Sequence, residues 1–272
     1  MIFPKRKDSI RRSYIGLLIG LLTLPLSGQN RPKQPASDSS AVLKAREYFY
    51  QGVLAQSASR SMEAFDLLRY ARALDPTDPT IAFVLGGSYV QQGQSSRALP
   101  LLEEAYASDT TNLTFARTLS GAYVEAGRMQ DALRVNERLA EADPEDDDVR
   151  YRLIQLYART GELKKGIDLA TQLQKRFRPM PSAYGQLTKL KIQLLTLSKD
   201  SVAVGHEYHT WADLYPDDRR PYYDWILHLL ETGGIEVAER QLTADTRRGR
   251  ISLGDATALR VHKYIFLKDY AA

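Results

Sequence analysis

The sequence has no cysteine among its 272 residues and only four histidines. Without a thiol there can be no disulfide, no thiolate nucleophile and no cysteine-ligated zinc. A chain without free thiols suits an oxidising compartment. No glycine-rich loop precedes a Lys-Ser or Lys-Thr pair, so the phosphate-binding loop of nucleotide hydrolases is missing as well.

The sequence also lacks an excess of either charge outside its first 28 residues. The formal net charge is +4, and residues 1–28 contain five basic residues and one acidic residue. The other 244 residues therefore carry 32 basic and 32 acidic side chains. Because the body of the chain is neutral, it offers no electrostatic basis for binding nucleic acid.

Long hydrophobic runs are missing too. The apolar run at residues 15–26 has 12 residues, whereas about 20 are needed to cross a bilayer. Basic residues precede it, and the small Ser27 and Gly28 follow it, which is typical of an export signal. We interpret residues 1–28 as a signal peptide cleaved near Gly28–Gln29, with an uncleaved anchor as the alternative.

The segment that follows the signal, residues 29–40, is rich in proline, serine and glutamine and has no hydrophobic face. Such a composition predicts a disordered linker. No cysteine follows the apolar run, so attachment as a bacterial lipoprotein is excluded.

The sequence does contain a pattern that recurs every 34 residues from Pro79 to Arg178. Its members are a tyrosine, a leucine four residues before it and a glycine four residues after it. They are Tyr89, Tyr123, Tyr157, Leu85, Leu119, Leu153, Gly93, Gly127 and Gly161. A small residue follows five positions after each glycine, at Ala98, Ala132 and Gly166. A period of this size is typical of a solenoid of helical hairpins.

This pattern resembles the tetratricopeptide repeat (TPR) family, and residues 45–180 carry the resemblance most strongly. The resemblance implies an all-α solenoid, a right-handed superhelix of about six helical hairpins. We expect four regular hairpins over residues 41–180 and degenerate ones over residues 181–272. A sixth hairpin is expected from Arg219, with Gly233 and Ala238 at the repeat glycine and alanine positions.

The last stretch, Ile251–Ala272, predicts one helix and the start of another that is not completed. A solenoid normally ends on a helix with a polar outer face. We therefore expect the sequence to be a fragment of a longer repeat protein.

Two clusters deserve a test as metal sites. His206-Glu207-Tyr208-His209 is one residue short of the zinc-protease pattern, and we expect Tyr208 and Trp211 to pack inward while both histidines face solvent. The acidic run at residues 141–148 lacks the alternating oxygen donors of a calcium loop. It is better explained as a helix end, a turn and a cap supplied by Asp146 or Asp147.

His228 and His262 each stand alone on apolar helical stretches and are interpreted as partly buried structural residues. No catalytic, cofactor-binding or metal-binding residue is predicted.

In TPR proteins the fifth and ninth positions of each first helix line a concave groove. By this resemblance the partner-binding residues are Phe49, Val53, Phe83, Gly87, Arg117, Gly121, Tyr151 and Gln155. Aromatic residues beside glycines suit an extended peptide or an apolar helix. The lysine and asparagine with which some family members hold a terminal carboxylate are missing from these positions.

The resemblance implies a non-catalytic protein–protein interaction scaffold or adaptor, exported to the periplasm or cell envelope of a Gram-negative bacterium. It binds other proteins, without a cofactor and without nucleic acid. Two alternatives stay open. One is an accessory subunit or fragment of a larger exported enzyme, and the other is a repeat protein that self-associates through its open ends.

Overall fold

The computed structural model describes residues 39–259, which form helices and turns and no strand. The helices are α1 (Ser39–Ser57), α2 (Ser61–Leu74), α3 (Pro79–Gln91), α4 (Ser95–Ser108), α5 (Leu113–Glu125), α6 (Met129–Ala142), α7 (Asp147–Thr160), α8 (Leu163–Arg176), α9 (Pro181–Leu197), α10 (Ser201–Leu214) and α11 (Arg220–Arg247). Residues 253–259 are also helical. The chain divides into two compact units, residues 39–160 and 161–259 of the described part.

Several predictions fall outside the described residues: the signal peptide, most of the linker, His262 and most of the incomplete last hairpin. The linker prediction extended too far, because Ser39 and Ser40 already belong to α1.

In the first unit, consecutive helices pack against each other in pairs, and small residues allow the close approach. Ala64, Ala98 and Ala132 are fully buried or nearly so. A Cβ atom on Gly86 would lie 2.9 Å from the side chain of Leu102. Small residues at these positions therefore permit the two helices of these hairpins to cross at close range.

The turn inside each of these hairpins needs a left-handed backbone. Gly93, Gly127 and Gly161 have φ angles of 69°, 74° and 83°. Glycine is favoured there because it has no Cβ to clash with the following carbonyl oxygen. Ser59, which precedes Gly93 by 34 residues, takes the same conformation with φ 61°.

The turns between hairpins are closed by caps with the same period. Asp78 accepts hydrogen bonds from the backbone of Thr80 (2.7 Å) and Ile81, and Asn112 does the same for α5. Asp146 accepts from Val149 N at 3.0 Å, so it is the cap of α7. The interpretation of the acidic run as turn and cap is confirmed.

Polar bonds join neighbouring repeats. The Tyr123 hydroxyl donates to Glu103 at 2.9 Å and the Tyr157 hydroxyl donates to Glu137 at 3.1 Å, so each tyrosine bonds a glutamate 20 residues earlier. Burial and the bond to Glu103 raise the pKa of Tyr123 to about 12. These tyrosines recur because their rings fill the core while their hydroxyls satisfy a neighbouring carboxylate.

In the second unit the period continues further than predicted. Leu187 and Lys191 stand 34 residues after Leu153 and Tyr157, and only beyond them does the phase change. Helix α9 has 17 residues, while the first helices of the two hairpins before α7 have 13. The left-handed turn residue is Lys199, with φ 60°, 38 residues after Gly161. The change of phase therefore corresponds to about four extra residues, one added helical turn near the end of α9.

The sixth hairpin has its break one residue after Gly233, the expected repeat glycine. Residues of α11 are helical on both sides of Gly234, whose φ of 78° and ψ of −178° break the helix at that residue. Gly234 rather than Gly233 takes the left-handed conformation, because a Gly-Gly pair leaves either residue free to do so.

The core of the second unit is built around two tryptophans. Trp211, 1% exposed, fills the space over Gly185, where a Cβ atom would lie 2.5 Å from its ring. Trp225 stacks with His228 at an interplanar angle of 14°. Tyr208 is buried beside it, as predicted.

His209 corrects the expectation that both histidines of the cluster face solvent. Its ring is half-buried against Trp225, with centroids 6.2 Å apart, while His206 is exposed. Burial lowers the pKa of both His209 and His228.

Candidate functional site

The eight predicted partner-binding residues lie on α1, α3, α5 and α7 of the first unit, and we call them the first-helix face. Two of its aromatic members are mostly inside the protein: Phe49 is 8% exposed and Phe83 is 6% exposed. Phe83 packs on Phe115, with ring centroids 4.6 Å apart, and so joins α3 to α5. Their role in binding stays a prediction, but their packing role is evident.

The two glycines of the face have open surroundings. A Cβ atom placed on Gly87 or on Gly121 would meet no atom within 4 Å. The two residues are 34 positions apart, in the interiors of α3 and α5. Unlike Gly86, they are not required by packing between helices.

The polar members of the face have partners within the protein. Arg117 is exposed and forms a 2.5 Å ion pair with Oδ2 of Asp146, whose Oδ1 caps α7. Tyr151 lies beside Gln155, and burial raises the pKa of the Tyr151 hydroxyl. Gln155 is exposed, and Val53 packs beside the core formed by α1 to α3.

A further polar cluster lies in the second unit, and the sequence did not point to it. The Lys191 ammonium donates to Oε1 of Glu207 at 2.6 Å and to Oε1 of Gln174 at 3.2 Å. The Gln174 amide donates to Oε2 of Glu207 at 3.1 Å and to the Thr188 hydroxyl at 2.9 Å. Lys191 is 8% exposed and Gln174 is 5% exposed.

One signal could have found this cluster. Lys191 occupies the repeat position of Tyr89, Tyr123 and Tyr157, where the pattern calls for a ring. The 34-residue period continues past Pro181 as far as Lys191, so the lysine stands where a tyrosine is expected.

Within residues 39–259 no group of three histidine, aspartate or glutamate side chains is placed to hold a metal ion. The same residues include no helix with the length and apolar character that a membrane span requires.

Profiles of the tetratricopeptide repeat match residues 44–112, 89–146 and 125–189, which together span more than half of the sequence. The chain belongs to the TPR family. The prediction of family and of an all-α TPR solenoid is confirmed. No curated protein matches the chain.

Solved structures show the same fold. YrrB, a TPR protein with an unusual peptide-binding site, has 17% sequence identity and a TM-score of 0.55, and the match covers 70% of this chain and 98% of YrrB. MamA from MSR-1 has 22% identity and a TM-score of 0.51, with 63% of this chain and 97% of MamA covered. MamA from AMB-1 has 24% identity and a TM-score of 0.52, covering 63% and 99%.

Proposed function

We propose that this TPR protein is a non-catalytic scaffold that binds an extended peptide or a helix of another protein on its first-helix face. The observation that carries the proposal is the open space over Gly87 and Gly121. Glycine in a helix interior is less favourable than alanine by about 0.8–1.0 kcal/mol, and neither glycine makes room for a neighbouring group of the protein. Two successive repeats therefore leave open space at a cost in helix stability, and a bound ligand would occupy that space.

The chemistry of the face suits a protein segment. The glycines leave a shallow surface on which a partner backbone or an apolar side chain can lie. Arg117 and Gln155, both exposed, supply hydrogen bonds at its margin. We propose, from the charged and apolar pattern of residues 1–28, that the scaffold works after export, in the periplasm or envelope.

The binding test fills the open space. Gly87→Leu with Gly121→Leu adds side chains where the protein has room for a Cβ, so the fold should be kept. Ala73→Leu with Ala107→Leu is the matched control, because these alanines are exposed on second helices. Each tagged protein is expressed in its native host, crosslinked in intact cells, and purified for mass spectrometry of its partners.

We expect the glycine pair to lose a partner that the wild type and the alanine pair retain. Circular dichroism should show equal helix content in all three. A partner retained by the folded glycine pair would overturn the assignment of the first-helix face.

The export part is tested separately by fractionation and by sequencing the mature N-terminus. A mature chain beginning near Gln29 in the periplasmic fraction is the expected result. A full-length chain that stays with the membranes would support the uncleaved anchor instead.

A second candidate function, self-association, is favoured by the apolar side chains that α1 exposes. Leu43, Tyr50 and Leu54 are 65%, 55% and 56% exposed, and their spacing of seven and four residues puts them on one side of the helix. Leu43→Glu with Leu54→Glu should then reduce a concentration-dependent mass measured by light scattering. A mass that is constant and monomeric at every concentration would contradict this candidate.

A further inference from the structure

The second unit has a cleft of about 270 Å³ formed by α8, α9, α10 and the turn after α8. Its walls combine cationic, hydrogen-bonding and apolar groups. They include Lys175, Arg178, Lys191, Glu207, Tyr184 and Leu214.

One charged residue of the cleft, Lys191, is only 8% exposed. Two of its three N–H groups donate to Glu207 and Gln174. Within residues 39–259 the third has no acceptor. The carboxylate oxygens of Glu207 are both engaged, one by Lys191 and one by Gln174. An acceptor entering the cleft would therefore complete the coordination of a buried cation.

The outer part of the cleft is positively charged. Lys175 and Arg178 are exposed, and neither has an acidic partner within residues 39–259. The Tyr215 hydroxyl donates to the backbone carbonyl of Arg178 at 2.5 Å, which fixes the main chain at this edge. Burial raises the pKa of Tyr184 to about 12, so this side chain is neutral at physiological pH. Three cations thus face one carboxylate.

The repeat pattern does not account for this arrangement. Counted from the left-handed turn residue of each hairpin, Glu207 holds the place of Leu101, Val135 and Leu169. Lys191 likewise replaces a tyrosine. A buried ion pair is seldom more stabilising than apolar residues of similar volume, so stability alone gives no reason for both substitutions to occur together.

We propose that this cleft binds a glutamate or aspartate side chain from an acidic segment of a partner protein. The Arg178 guanidinium holds the carboxylate through two parallel N–H···O bonds, and Lys175 adds a second positive charge. The remaining N–H of Lys191 donates to the carboxylate at the inner end of the cleft. Tyr184 and Leu214 pack against the methylene groups of the incoming side chain. The inference rests on the proposed function only in taking the ligand to be a protein segment.

The test measures binding of a labelled peptide of alternating glutamate and alanine to the full chain by fluorescence anisotropy. Lys175→Gln with Arg178→Gln removes the outer charges, and we expect the Kd to rise by about tenfold or more, since hydrogen bonds to charged groups are lost. Lys164→Gln with Arg247→Gln is the control. It makes the same change in net charge at exposed positions that do not line the cleft, and its Kd should match the wild type.

A second variant addresses the buried cation. Lys191→Met with Glu207→Gln removes both charges together, so no isolated buried charge remains. It should also weaken peptide binding, while circular dichroism confirms the fold. The matching glutamine–alanine peptide should not bind any of the proteins.

Three results would overturn the proposal. They are equal binding by the cleft variant and its charge-matched control, equal binding of the glutamine peptide, and binding of inorganic phosphate as tight as that of the acidic peptide. The pair Gly87→Leu and Gly121→Leu should bind the acidic peptide normally. Failure of the cleft is thereby separated from failure of the first-helix face.

Discussion

Gly86 and Gly87 are adjacent in α3, and a methyl group added to each would meet different surroundings. On Gly86 it would lie 2.9 Å from Cγ and Cδ2 of Leu102 and 3.3 Å from Cβ of Leu101. On Gly87 it would meet nothing within 4 Å. Replacing each glycine by alanine therefore isolates close packing between helices from the intrinsic preference for helix.

The expected free energies follow from these distances. Both substitutions gain the helix preference of alanine over glycine, about 0.8–1.0 kcal/mol. For Gly87→Ala nothing opposes it, so the protein should be stabilised by about that amount. For Gly86→Ala the gain is offset by overpacking against Leu102, which is 1% exposed. Overpacking costs about 1–3 kcal/mol. The free energy of unfolding of Gly86→Ala should therefore be lower than that of Gly87→Ala by about this amount.

The assay is urea unfolding followed by circular dichroism, with the wild type and both variants measured together. Gly121→Ala serves as a control, because its surroundings are also open and it should behave like Gly87→Ala. If Gly86→Ala and Gly87→Ala unfolded at the same urea concentration, the close packing assigned to Gly86 would be refuted. A destabilised Gly87→Ala would show that the space above it is filled in solution.

Three further predictions concern stability. Pro100 lies inside α4 and is exposed. Pro100→Ala should therefore raise the free energy of unfolding by up to about 3 kcal/mol, measured by urea unfolding. An unchanged urea midpoint would contradict this. Ser59→Gly and Lys199→Gly should each stabilise the protein by about 1 kcal/mol, because both residues have a left-handed backbone. A lower melting temperature of either variant would count against backbone strain at that site. Burial lowers the pKa of His209 and His228 below the usual value of about 6.5. The folded state then binds fewer protons than the unfolded state, so stability is full above about pH 6.5 and declines as the pH falls toward the folded pKa values. Replacing both histidines by glutamine should flatten this decline in melts recorded against pH, and a decline of the same size in the variant would assign it to other groups.

The regular repeats were predictable because each position has one local reason. Gly93 and Gly127 are needed for a left-handed turn, Ala98 and Ala132 for close helix crossing, and Asp146 for a cap. These requirements are met by residue type alone, so a 34-residue period in the sequence is enough to place them. The confirmed family and fold rest on this.

The second unit was harder to predict because its structure depends on contacts between distant residues. One added helical turn in α9 shifts the left-handed loop residue to Lys199. No glycine at that position indicates the loop in the sequence. Trp211 fills a space that Gly185 leaves, and neither residue alone predicts the other. The sequence shows Lys191 at a tyrosine position, but its pairing with Glu207 follows only from the packing of two helices.

The exposure of the first-helix face also could not be read from the pattern. Phe49 and Phe83 occupy positions that the TPR resemblance assigns to the groove, yet they are largely buried in this protein. Gly87 and Gly121 stand open. Side-chain burial depends on the packing of successive repeats, which a position number does not contain.

The 20-residue step of the tyrosine–glutamate bonds means that this bond would survive the loss of a whole repeat. Removing residues 113–146 would join Asn112 to Asp147, and one capping side chain would replace the other at the start of α7. Tyr157 would then stand 20 residues after Glu103 and could take over that carboxylate as Glu137 was lost. Arg117 and Asp146, which pair with each other, would leave together. Such a shortened chain would keep its helix cap and its tyrosine–glutamate bond, while Glu103 and Tyr106 would lose their bonds to Arg128 and Arg138.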